Sequence, residues 1–417
     1  MLLLSAPEHI KTTNIHLSGS KSITNRLLIL NEVLNLDLHL ENSSTSEDTL
    51  LLRNALKEIK NKNSATIDIH HAGTDMRFLT AFLSTKEGEW TLTGSERMKQ
   101  RPVGELVSAL QNLGADITYL EKENFPPLKI KGKKLKGGKI EIDGSVSSQF
   151  ISALLLISPS FENGLELTLK NETVSWPYIL MTLDLLSEFG MKVSTVSNTI
   201  NVSQIKNEKQ ETGTKKFIVE SDWSSASYWF SIVALSKNAE ITLIGLTDHS
   251  SQGDSVLPEI FKQLGVTSTF KNNKLVLTKN SDVTDLFEYD FTNCPDLAQT
   301  IAITCFGLGI KALLTGLKTL KLKESDRIVA LKTELEKFGA NVEITVNSLT
   351  ISETKNPKQE TIQTINTYND HRVAMSFAPL ALLYKSLYIQ NPEVVSKSYP
   401  LFWEDLKSVG FSVNLQP

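Results

Sequence analysis

One pattern recurs along this 417-residue chain: an amphipathic helix that ends on an apolar residue and a glycine, followed by a strand. It reads ALQNLGADI, LLSEFGMKV, IFKQLGVTS, ELEKFGANV and DLKSVGFSV, with successive glycines 76, 75, 74 and 71 residues apart. Glycine suits the left-handed backbone that ends a helix. A period near 75 residues predicts five or six units, each longer than the roughly 20–50 residues of common solenoid repeats. The glycines are Gly114, Gly190, Gly265, Gly339 and Gly410.

A single unit can be followed through its hydrophobic periodicity. KIEID predicts a strand, SSQFISALLLIS a helix, LELTLK a strand, WPYILMTLDLLSEFG a helix, and MKVSTV with NTINV a hairpin. The same strand-helix-strand-helix-strand-strand order fits TIDIH to LKIKG, FIVES to LVLT and YDFT to LTIS. A first copy, from about Ile15 to Lys60, is shortened. Two helices per four strands predict an α/β fold.

The chain length favours two domains of roughly 200 residues each, because one core does not grow much beyond that size. Three units per domain is the natural division, and it places the boundary near Glu220. Lys and Arg number 43 against 47 Asp and Glu, for a net charge of -4. This balance excludes the global basicity of nucleic-acid-binding proteins, so any anion site must be local.

Cysteine and hydropathy patterns indicate the compartment. With only Cys294 and Cys305 present, a disulfide framework is excluded, and no Cys/His spacing matches a metal site. The start has an apolar run of only four residues, and polar residues interrupt the longest apolar stretch, Leu297 to Leu317. We therefore expect a soluble cytoplasmic protein without a membrane segment.

Unusual residues fall at the start of the first helix of each unit, in GSKSITNR, AGTDMR, SVSSQF, DWSSAS, CPDLAQ and NDHR. Any one of these is typical of an ordinary N-cap. However, Lys21, Arg26, Arg77 and Arg372 lie within one or two turns of these starts, where a cation meets the positive end of the helix dipole. An anionic ligand relieves that conflict, so the starts predict a site for polyanions.

Further charged residues accompany the second helices of the units. Each alone is typical of a solvated surface charge, but Arg and Lys together suit ligands that carry both carboxylate and phosphate. These residues are Arg101, Lys323, Glu324, Arg327 and Lys397.

Two small motifs leave alternatives open. Gly73 serves either a tight turn or the close approach of a ligand to the backbone. Asp296 follows Pro295 and either initiates a helix or acts on a substrate hydroxyl as an orienting group or base.

His70 and His71, adjacent on a strand, face opposite sides and form no metal pair. The Lys-Gly run Lys129 to Lys139 predicts a solvated hairpin turn.

Seven motifs in order, GSKSITNR, AGTDMR, LTGSERMKQRPVGELVSAL, GSVSSQF, SSASY, KESDR and NDHR, resemble the 5-enolpyruvylshikimate-3-phosphate synthase family from about Leu17 to Trp403. The resemblance implies two domains, each an inside-out α/β barrel of three βαβαββ units, with the active site in the interdomain cleft. Domain I would hold residues 1–19 and 221–417, and domain II residues 20–220, so the N-terminal strand joins the C-terminal half.

The implied reaction moves the enolpyruvyl group of phosphoenolpyruvate to the 5-hydroxyl of shikimate 3-phosphate and releases phosphate. It belongs to the shikimate pathway to chorismate and aromatic amino acids. It needs neither metal nor organic cofactor. We expect a monomer whose partners are these small molecules, not nucleic acid or membrane. The hydroxyl must lose a proton while the vinyl C3 gains one, so two proton-transfer groups are required.

The resemblance also implies residue roles. Proton transfer falls to Lys21, Asp296 and Glu324, without deciding which is acid and which is base. Shikimate 3-phosphate binding falls to Lys21, Ser22, Arg26, Ser147, Ser148, Gln149, Ser175, Asp296 and Lys323. Phosphoenolpyruvate binding falls to Lys21, Gly73, Arg101, Gln149, Arg327, Arg372 and Lys397.

The chain departs from the family pattern at a few site positions. His71 and Thr319 stand where the family often has Asn, and Trp176 where Lys is common. Asp75 replaces a frequent Ala, and Phe78 a frequent Pro, beside the phosphoenolpyruvate loop. We expect the phosphate contacts to be rearranged at His71, Trp176 and Thr319.

Two alternatives compete with this interpretation. The related UDP-N-acetylglucosamine enolpyruvyl transferases usually carry a reactive Cys on a mobile loop, whereas the corresponding loop here, SERMKQRP, has none. A non-catalytic anion-binding relative should have lost reacting groups, yet the acids and cations assigned above are all present.

Overall fold

The computed structural model describes residues 1–204, 214–272, 274–352 and 362–416. They form two compact units. None of the helices in these ranges is both long enough and apolar enough to span a membrane. Unit I comprises Met1–Ser20, Ser44–Glu47 and Glu220–Pro417, and unit II comprises Lys21–Ser43 and Asp48–Val219.

The regular elements alternate as the hydrophobic periodicity predicts. The strands are β1 Leu2–Ser5, β2 Thr13–His16, β3 Leu38–Glu41, β4 Ser64–Asp68, β5 Gly88–Thr93, β6 Asp116–Tyr119, β7 Leu128–Gly132, β8 Gly138–Asp143, β9 Leu165–Lys170, β10 Met191–Val196, β11 Thr199–Gln204, β12 Lys215–Ile218, β13 Glu240–Ile244, β14 Leu264–Lys271, β15 Lys274–Val283, β16 Leu286–Asp290, β17 Lys311–Thr315, β18 Val342–Ile344, β19 Leu349–Ile351, β20 Thr364–Ile365, β21 Ser386–Ile389 and β22 Ser412–Leu415. The α-helices are α1 Lys21–Val33, α2 Glu47–Lys60, α3 Gly73–Thr85, α4 Gly104–Asn112, α5 Ser148–Ile157, α6 Trp176–Glu188, α7 Trp223–Leu235, α8 Leu257–Lys262, α9 Ala298–Leu308, α10 Arg327–Glu336, α11 His371–Phe377, α12 Ala381–Tyr384 and α13 Phe402–Ser408.

The four-stranded sheets share one topology. In the sheet β8-β9-β11-β10, the first two strands are parallel and β11 is antiparallel to both of its neighbours. The order recurs as β4-β5-β7-β6 in unit II and as β2-β13-β15-β14, β16-β17-β19-β18 and β20-β21-β1-β22 in unit I. The predicted α/β class is confirmed.

One strand assignment from the sequence is wrong. The segment FIVES does not open the fourth repeat, because β12 pairs in parallel with β3 in unit II. Instead β2 takes the first position of that sheet, parallel to β13. The chain passes from unit I to unit II after Ser20 and returns after Val219, where the Ser20 amide donates to the Glu220 carbonyl at 2.7 Å. The shortened first copy therefore receives its partner strand from the returning segment.

Helices fill the interior of each unit. The first helix of each repeat is buried on nearly every side, as its continuous apolar sequence predicts; in α5, nine residues are buried. In unit II α3 packs against α1 and α5, and in unit I α9 packs against α7 and α11. The strands alternate, so that Ile140 and Ile142 of β8 are buried between exposed Lys139 and Glu141. This is the inside-out arrangement expected.

The backbone confirms the left-handed conformation predicted for the repeat glycines, and it corrects two other expectations. The five glycines all have positive φ, between 79° and 110°. His70 and His71 are not on a strand: β4 ends at Asp68, and both histidines lie in the following turn. The Lys129–Lys139 run is no hairpin, because it connects β7 of one sheet to β8 of another, although its lysines are exposed as expected.

Candidate active site

Arg327 is the centre of the charged cluster in unit I. It is the first residue of α10, its side chain is only 2% exposed, and its guanidinium contacts three carboxylates. The distances are 2.9 Å to Asp296, 2.9 Å to Glu324 and 2.8 Å to Asp370, the last being a forked contact. Burial alone would lower the pKa of Arg327, but Asp370, Glu324 and Asp296 together raise it. The guanidinium therefore stays charged inside the protein.

Asp296 lies in a short 3-10 turn immediately before α9, at the position expected for a helix-initiating or catalytic carboxylate. Burial opposes its ionisation, but Arg372, Lys323 and Arg327 outweigh burial and hold its pKa well below the usual range. Its Oδ2 accepts from Arg372 Nη2 at 3.0 Å, and Lys323 Nζ lies 3.6 Å from Oδ1. Asp296 is thus an ionised carboxylate surrounded by cations.

Three helix starts meet around Arg372, which lies in the first turn of α11. The Asp370 carboxylate caps that helix by accepting from the Arg372 amide at 3.0 Å. The guanidinium reaches the Asp296 carbonyl, at 3.3 Å, before α9 and the Ser224 hydroxyl, at 3.3 Å, in α7. Lys397 is 7% exposed, and its ammonium donates to the carbonyl of Asn369 at 3.1 Å.

Lys21 begins α1 in unit II, where its ammonium lies 2.7 Å from the Asp48 carboxylate. Beside this pair, the buried Asp75 in the first turn of α3 accepts from the Asn25 side chain at 2.8 Å. The Asn25 carbonyl oxygen in turn accepts from Thr49 at 2.7 Å. Burial, reinforced by Asp48, raises the pKa of Asp75 well above the usual range. This network connects the starts of three helices.

Arg26 is buried against neutral oxygens. Its donors reach the Thr182 hydroxyl at 2.8 Å, the Ser152 hydroxyl at 3.1 Å, the Tyr178 carbonyl at 3.0 Å and the Ser22 carbonyl at 2.9 Å. Burial lowers its pKa to about 10. Arg26 therefore ties α1 to α5 and α6, and it is positioned together with Ser22.

Gly73 begins α3 with the Arg101 guanidinium directly against it. A Cβ built at Gly73 would lie 2.4 Å from Arg101 Nη1, so the glycine makes room for that side chain. Arg77, which the sequence placed among the anion-binding cations, serves as a brace instead. It is buried, and it donates to the Gly73 carbonyl at 3.0 Å and to the Pro102 carbonyl at 2.8 Å. The loop carrying Arg101 is thus fastened to the helix start.

The serine-serine-glutamine stretch forms the start of α5. Ser147 is its N-cap and accepts from the Gln149 amide at 3.2 Å, while Ser148 is buried. The Gln149 side chain donates to the Thr74 hydroxyl at 3.2 Å, so the α3 and α5 starts are adjacent. Ser175 is buried at the start of α6 with left-handed backbone, φ 55°.

Three of the departures from the family pattern, His71, Thr319 and Trp176, place a neutral side chain at the site positions. His71 Nδ1 lies 2.8 Å from the Ser95 hydroxyl. The Thr319 hydroxyl is buried without a hydrogen-bond partner among the described residues, and Trp176 is the first residue of α6. Within the described ranges, no group of three or more His, Cys, Asp or Glu is placed to hold a metal ion.

Sequence reasoning did not single out three polar residues of these clusters: Asp370, Ser224 and Asp48. Asp370 stands in the NDHR motif and Ser224 in DWSSAS, but each is also a typical residue at a helix start. The available signal was their position in the motifs that carry cations. Asp48 lies in no motif, and only its contact with Lys21 reveals it.

The comparisons with known proteins agree over almost the whole chain. The family model of EPSP synthase (3-phosphoshikimate 1-carboxyvinyltransferase) matches residues 6–406. A 3-phosphoshikimate 1-carboxyvinyltransferase from Bacteroides fragilis is 47% identical over 99% of this chain and 98% of its own length. A 3-phosphoshikimate 1-carboxyvinyltransferase from Buchnera aphidicola is 38% identical over 95% of this chain and 94% of its own length.

A solved structure shares the fold. The EPSP synthase from Acinetobacter baumannii superimposes with a TM-score of 0.76 at 22% identity, over 99% of this chain and 100% of that one. The resemblance, the fold class and the enzyme class predicted from the motifs are confirmed. The chain belongs to the EPSP synthase family, the 3-phosphoshikimate 1-carboxyvinyltransferases.

Proposed function

We propose that this chain transfers the enolpyruvyl group of phosphoenolpyruvate to the 5-hydroxyl of shikimate 3-phosphate and releases phosphate, with the two charged clusters binding the substrates. Family membership supports the reaction. The observation that carries the residue roles is Asp296, a half-buried carboxylate kept ionised by Arg372, Lys323 and Arg327.

Binding of the donor, phosphoenolpyruvate, would replace a resident carboxylate at the arginines of unit I and change the basicity of Asp296. In unit I, Arg372 and Arg327 present planar forks that suit a carboxylate or a phosphate group, and Lys397 adds a mobile charge. When these guanidiniums turn toward phosphoenolpyruvate, Asp296 loses part of the positive field that holds its pKa low. Substrate binding would thereby make Asp296 a stronger base.

Unit II supplies the remaining donor contacts: Arg101 beside Gly73, and Lys21 and Gln149. Because Gly73 has no side chain, the Arg101 guanidinium lies against the start of α3, where it would contact the donor. For the acceptor we assign Lys21, Asp296 and Lys323 together with the helix-start residues Ser22, Arg26, Ser147, Ser148, Gln149 and Ser175.

The proton transfers follow from charge. The 5-hydroxyl oxygen forms a bond to C2 of phosphoenolpyruvate and gives up its proton while C3 gains one, which yields a tetrahedral intermediate. Loss of phosphate from C2 and of a proton from C3 then restores the double bond. Asp296, as the carboxylate, is the candidate base for the hydroxyl, and the Lys21 ammonium and Glu324 are the candidate groups that serve C3. The surrounding cations stabilise the negative charge of the intermediate.

The decisive experiment is a phosphate-release assay with each substrate alone and with both together. We expect release only with both, whereas turnover with a UDP-linked sugar would favour the related transferases, and no release by folded protein would support a non-catalytic relative. Asp296→Asn should lower kcat by roughly 10²–10⁴-fold, the usual contribution of a positioned base. The matched control Asp282→Asn changes an exposed carboxyl and should leave kcat unchanged.

Three further expectations belong to the same proposal: a cytoplasmic location, a monomeric state, and independence from metal or organic cofactors and from nucleic acid or membrane partners. Sizing chromatography coupled to light scattering tests the monomer. Full activity after dialysis against a chelator tests the absence of a metal requirement, and restoration of lost activity by an added divalent cation would contradict it.

A further inference from the structure

A hydrogen-bonded chain leads from Arg372 to a carboxyl group that has no role so far. Asp254 lies in the short 3-10 turn Gly253–Val256 and is 2% exposed. The Ser224 hydroxyl donates to its Oδ2 and also accepts from Arg372 Nη2 at 3.3 Å. Because a serine hydroxyl has one hydrogen, the direction is fixed from Arg372 through Ser224 to Asp254. The same Arg372 nitrogen contacts Asp296.

The environment of Asp254 lets it exist in either charge state. Its Oδ1 is buried without a hydrogen-bond partner among the described residues, so ionisation is costly. Burial raises the pKa of Asp254 to about 7; Asp296 and Asp222 raise it, whereas Arg372 and the Ser224 hydrogen bond lower it. Cys294 also faces Asp254, and the charged side chains of the adjoining α8, Glu259 and Lys262, are exposed.

We propose that Asp254 is a positioning residue for Arg372, and that its charge, relayed by the Ser224 hydroxyl, sets how readily the guanidinium leaves Asp296 for phosphoenolpyruvate. This inference rests on the proposed role of Arg372 in donor binding. When Asp254 is neutral, the Arg372 guanidinium has to leave the carboxylate of Asp296 in order to bind the donor, and Asp254 adds no negative charge that holds it back. An ionised Asp254 makes Ser224 a stronger acceptor and adds a like charge that opposes the incoming anion.

The expected consequence separates binding from chemistry. As pH rises through about 7, the KM for phosphoenolpyruvate should rise because Asp254 becomes ionised. The kcat should change less, since Asp254 does not contact the reacting groups. A residue with a merely structural role would not produce this pH-dependent split.

The test compares the protein with Asp254→Asn, which has the shape of the protonated acid and stays neutral at every pH. The ratio of the two KM values for phosphoenolpyruvate should be near one at acidic pH and should favour the variant several-fold at alkaline pH. Titration of phosphoenolpyruvate itself cancels in this ratio. A ratio that stays constant with pH overturns the proposal.

A second variant tests the relay. In a Ser224→Ala background, Asp254→Asn should have a much smaller effect on KM, and an undiminished effect would contradict transmission through the hydroxyl. Asp405→Asn is the matched control, because Asp405 likewise accepts from a hydroxyl, that of Tyr399 at 2.6 Å, and has a pKa raised by burial. Its ratio should not vary with pH.

Failure of this inference and failure of the proposed function give different results. If the unmodified protein shows no turnover, both fail. If it turns over and Arg372→Lys raises the KM for phosphoenolpyruvate, while the Asp254→Asn ratio stays flat, only the inference fails.

Discussion

Two buried arginines, Arg327 in unit I and Arg26 in unit II, are stabilised in opposite ways. Arg327 contacts the carboxylates of Asp296, Glu324 and Asp370, which raise its pKa. Among the described residues, the Arg26 donors contact hydroxyls and backbone carbonyls, and burial lowers the pKa of Arg26 to about 10. One charge is balanced by opposite charges and the other by dipoles.

The difference indicates what each cluster can do. Because the Arg327 guanidinium already contacts three carboxylates, we expect an anion to enter there by exchange with one of them, and that exchange would change the basicity of the carboxylate. Around Arg26 the positive charge is not neutralised, so it contributes directly to the attraction of an anion. A catalytic carboxylate suits the first environment, and a binding contact suits the second.

Replacing Arg327 should give the largest effect. Arg327→Met removes the cation that contacts the buried Asp370 and the half-buried Glu324, and breaking a buried ion pair costs about 3–5 kcal/mol. The free energy of unfolding from urea denaturation should fall by that amount, and turnover should be lost. The exposed Lys407→Met on α13 is the control and should change stability by less than about 0.5 kcal/mol. A loss as small as that of the control would show that the carboxylates do not need Arg327.

Within unit I, Asp254 should make the stability of the folded state depend on pH in the opposite direction from a carboxylate in an ion pair. Its folded pKa of about 7 lies above the ordinary aspartate value of 3.8, so the folded state holds the proton more tightly than the unfolded chain. Stability is therefore greatest below pH 4 with respect to this group, and is lost as pH rises to about 7. The loss reaches roughly 4 kcal/mol, at about 1.4 kcal/mol per pKa unit.

Thermal unfolding of the protein and of Asp254→Asn, recorded over that pH range, measures the difference. The melting temperature of Asp254→Asn should rise relative to that of the unmodified protein as pH rises. Parallel curves would show that Asp254 ionises as easily as in the unfolded chain.

Arg26→Met should cost less than Arg327→Met. It leaves hydroxyl and carbonyl acceptors unpaired but no charge, which corresponds to about 1–3 kcal/mol. The KM for shikimate 3-phosphate should rise because positive charge is lost. A loss of stability equal to that of Arg327→Met would remove the distinction between the two environments.

The smallest change in stability is expected for Gly73→Ala, within about 1 kcal/mol. Its Cβ must displace Arg101, so the KM for phosphoenolpyruvate should increase while folding is retained. Gly104→Ala at the start of α4 is the control, because its Cβ would meet the Asn124 side chain instead. Equal kinetics for the two variants would argue against a role for the space at Gly73.

The repeat and the helix starts could be predicted because both depend on local sequence. Helix-ending glycines and apolar periodicity act over a few residues, so the elements from KIEID to NTINV agree with β8 through β11. The local pattern alone could not predict the exchange of β2 and β12; only the resemblance placed residues 1–19 in domain I and residues 20–220 in domain II. Both are short strands of similar pattern, and their partners are chosen by the path of the chain between the units.

Side-chain roles were harder to predict than positions. Arg77 and Arg101 look alike in sequence, yet one braces a loop through backbone carbonyls and the other lies against Gly73. Asp254 was missed because nothing local distinguishes it from a helix-capping acid. Its significance depends on burial and on a hydrogen bond to a serine thirty residues away.

The place of β1 between β21 and β22 has a consequence for folding during synthesis. Leu2 pairs with Ile389 and with Leu415, so β1 has no pairing partner until the ribosome has synthesised β21 and β22. Unit II, which needs nothing beyond Val219, can complete its core long before. We expect nascent chains to carry a folded middle and an unpaired leading strand.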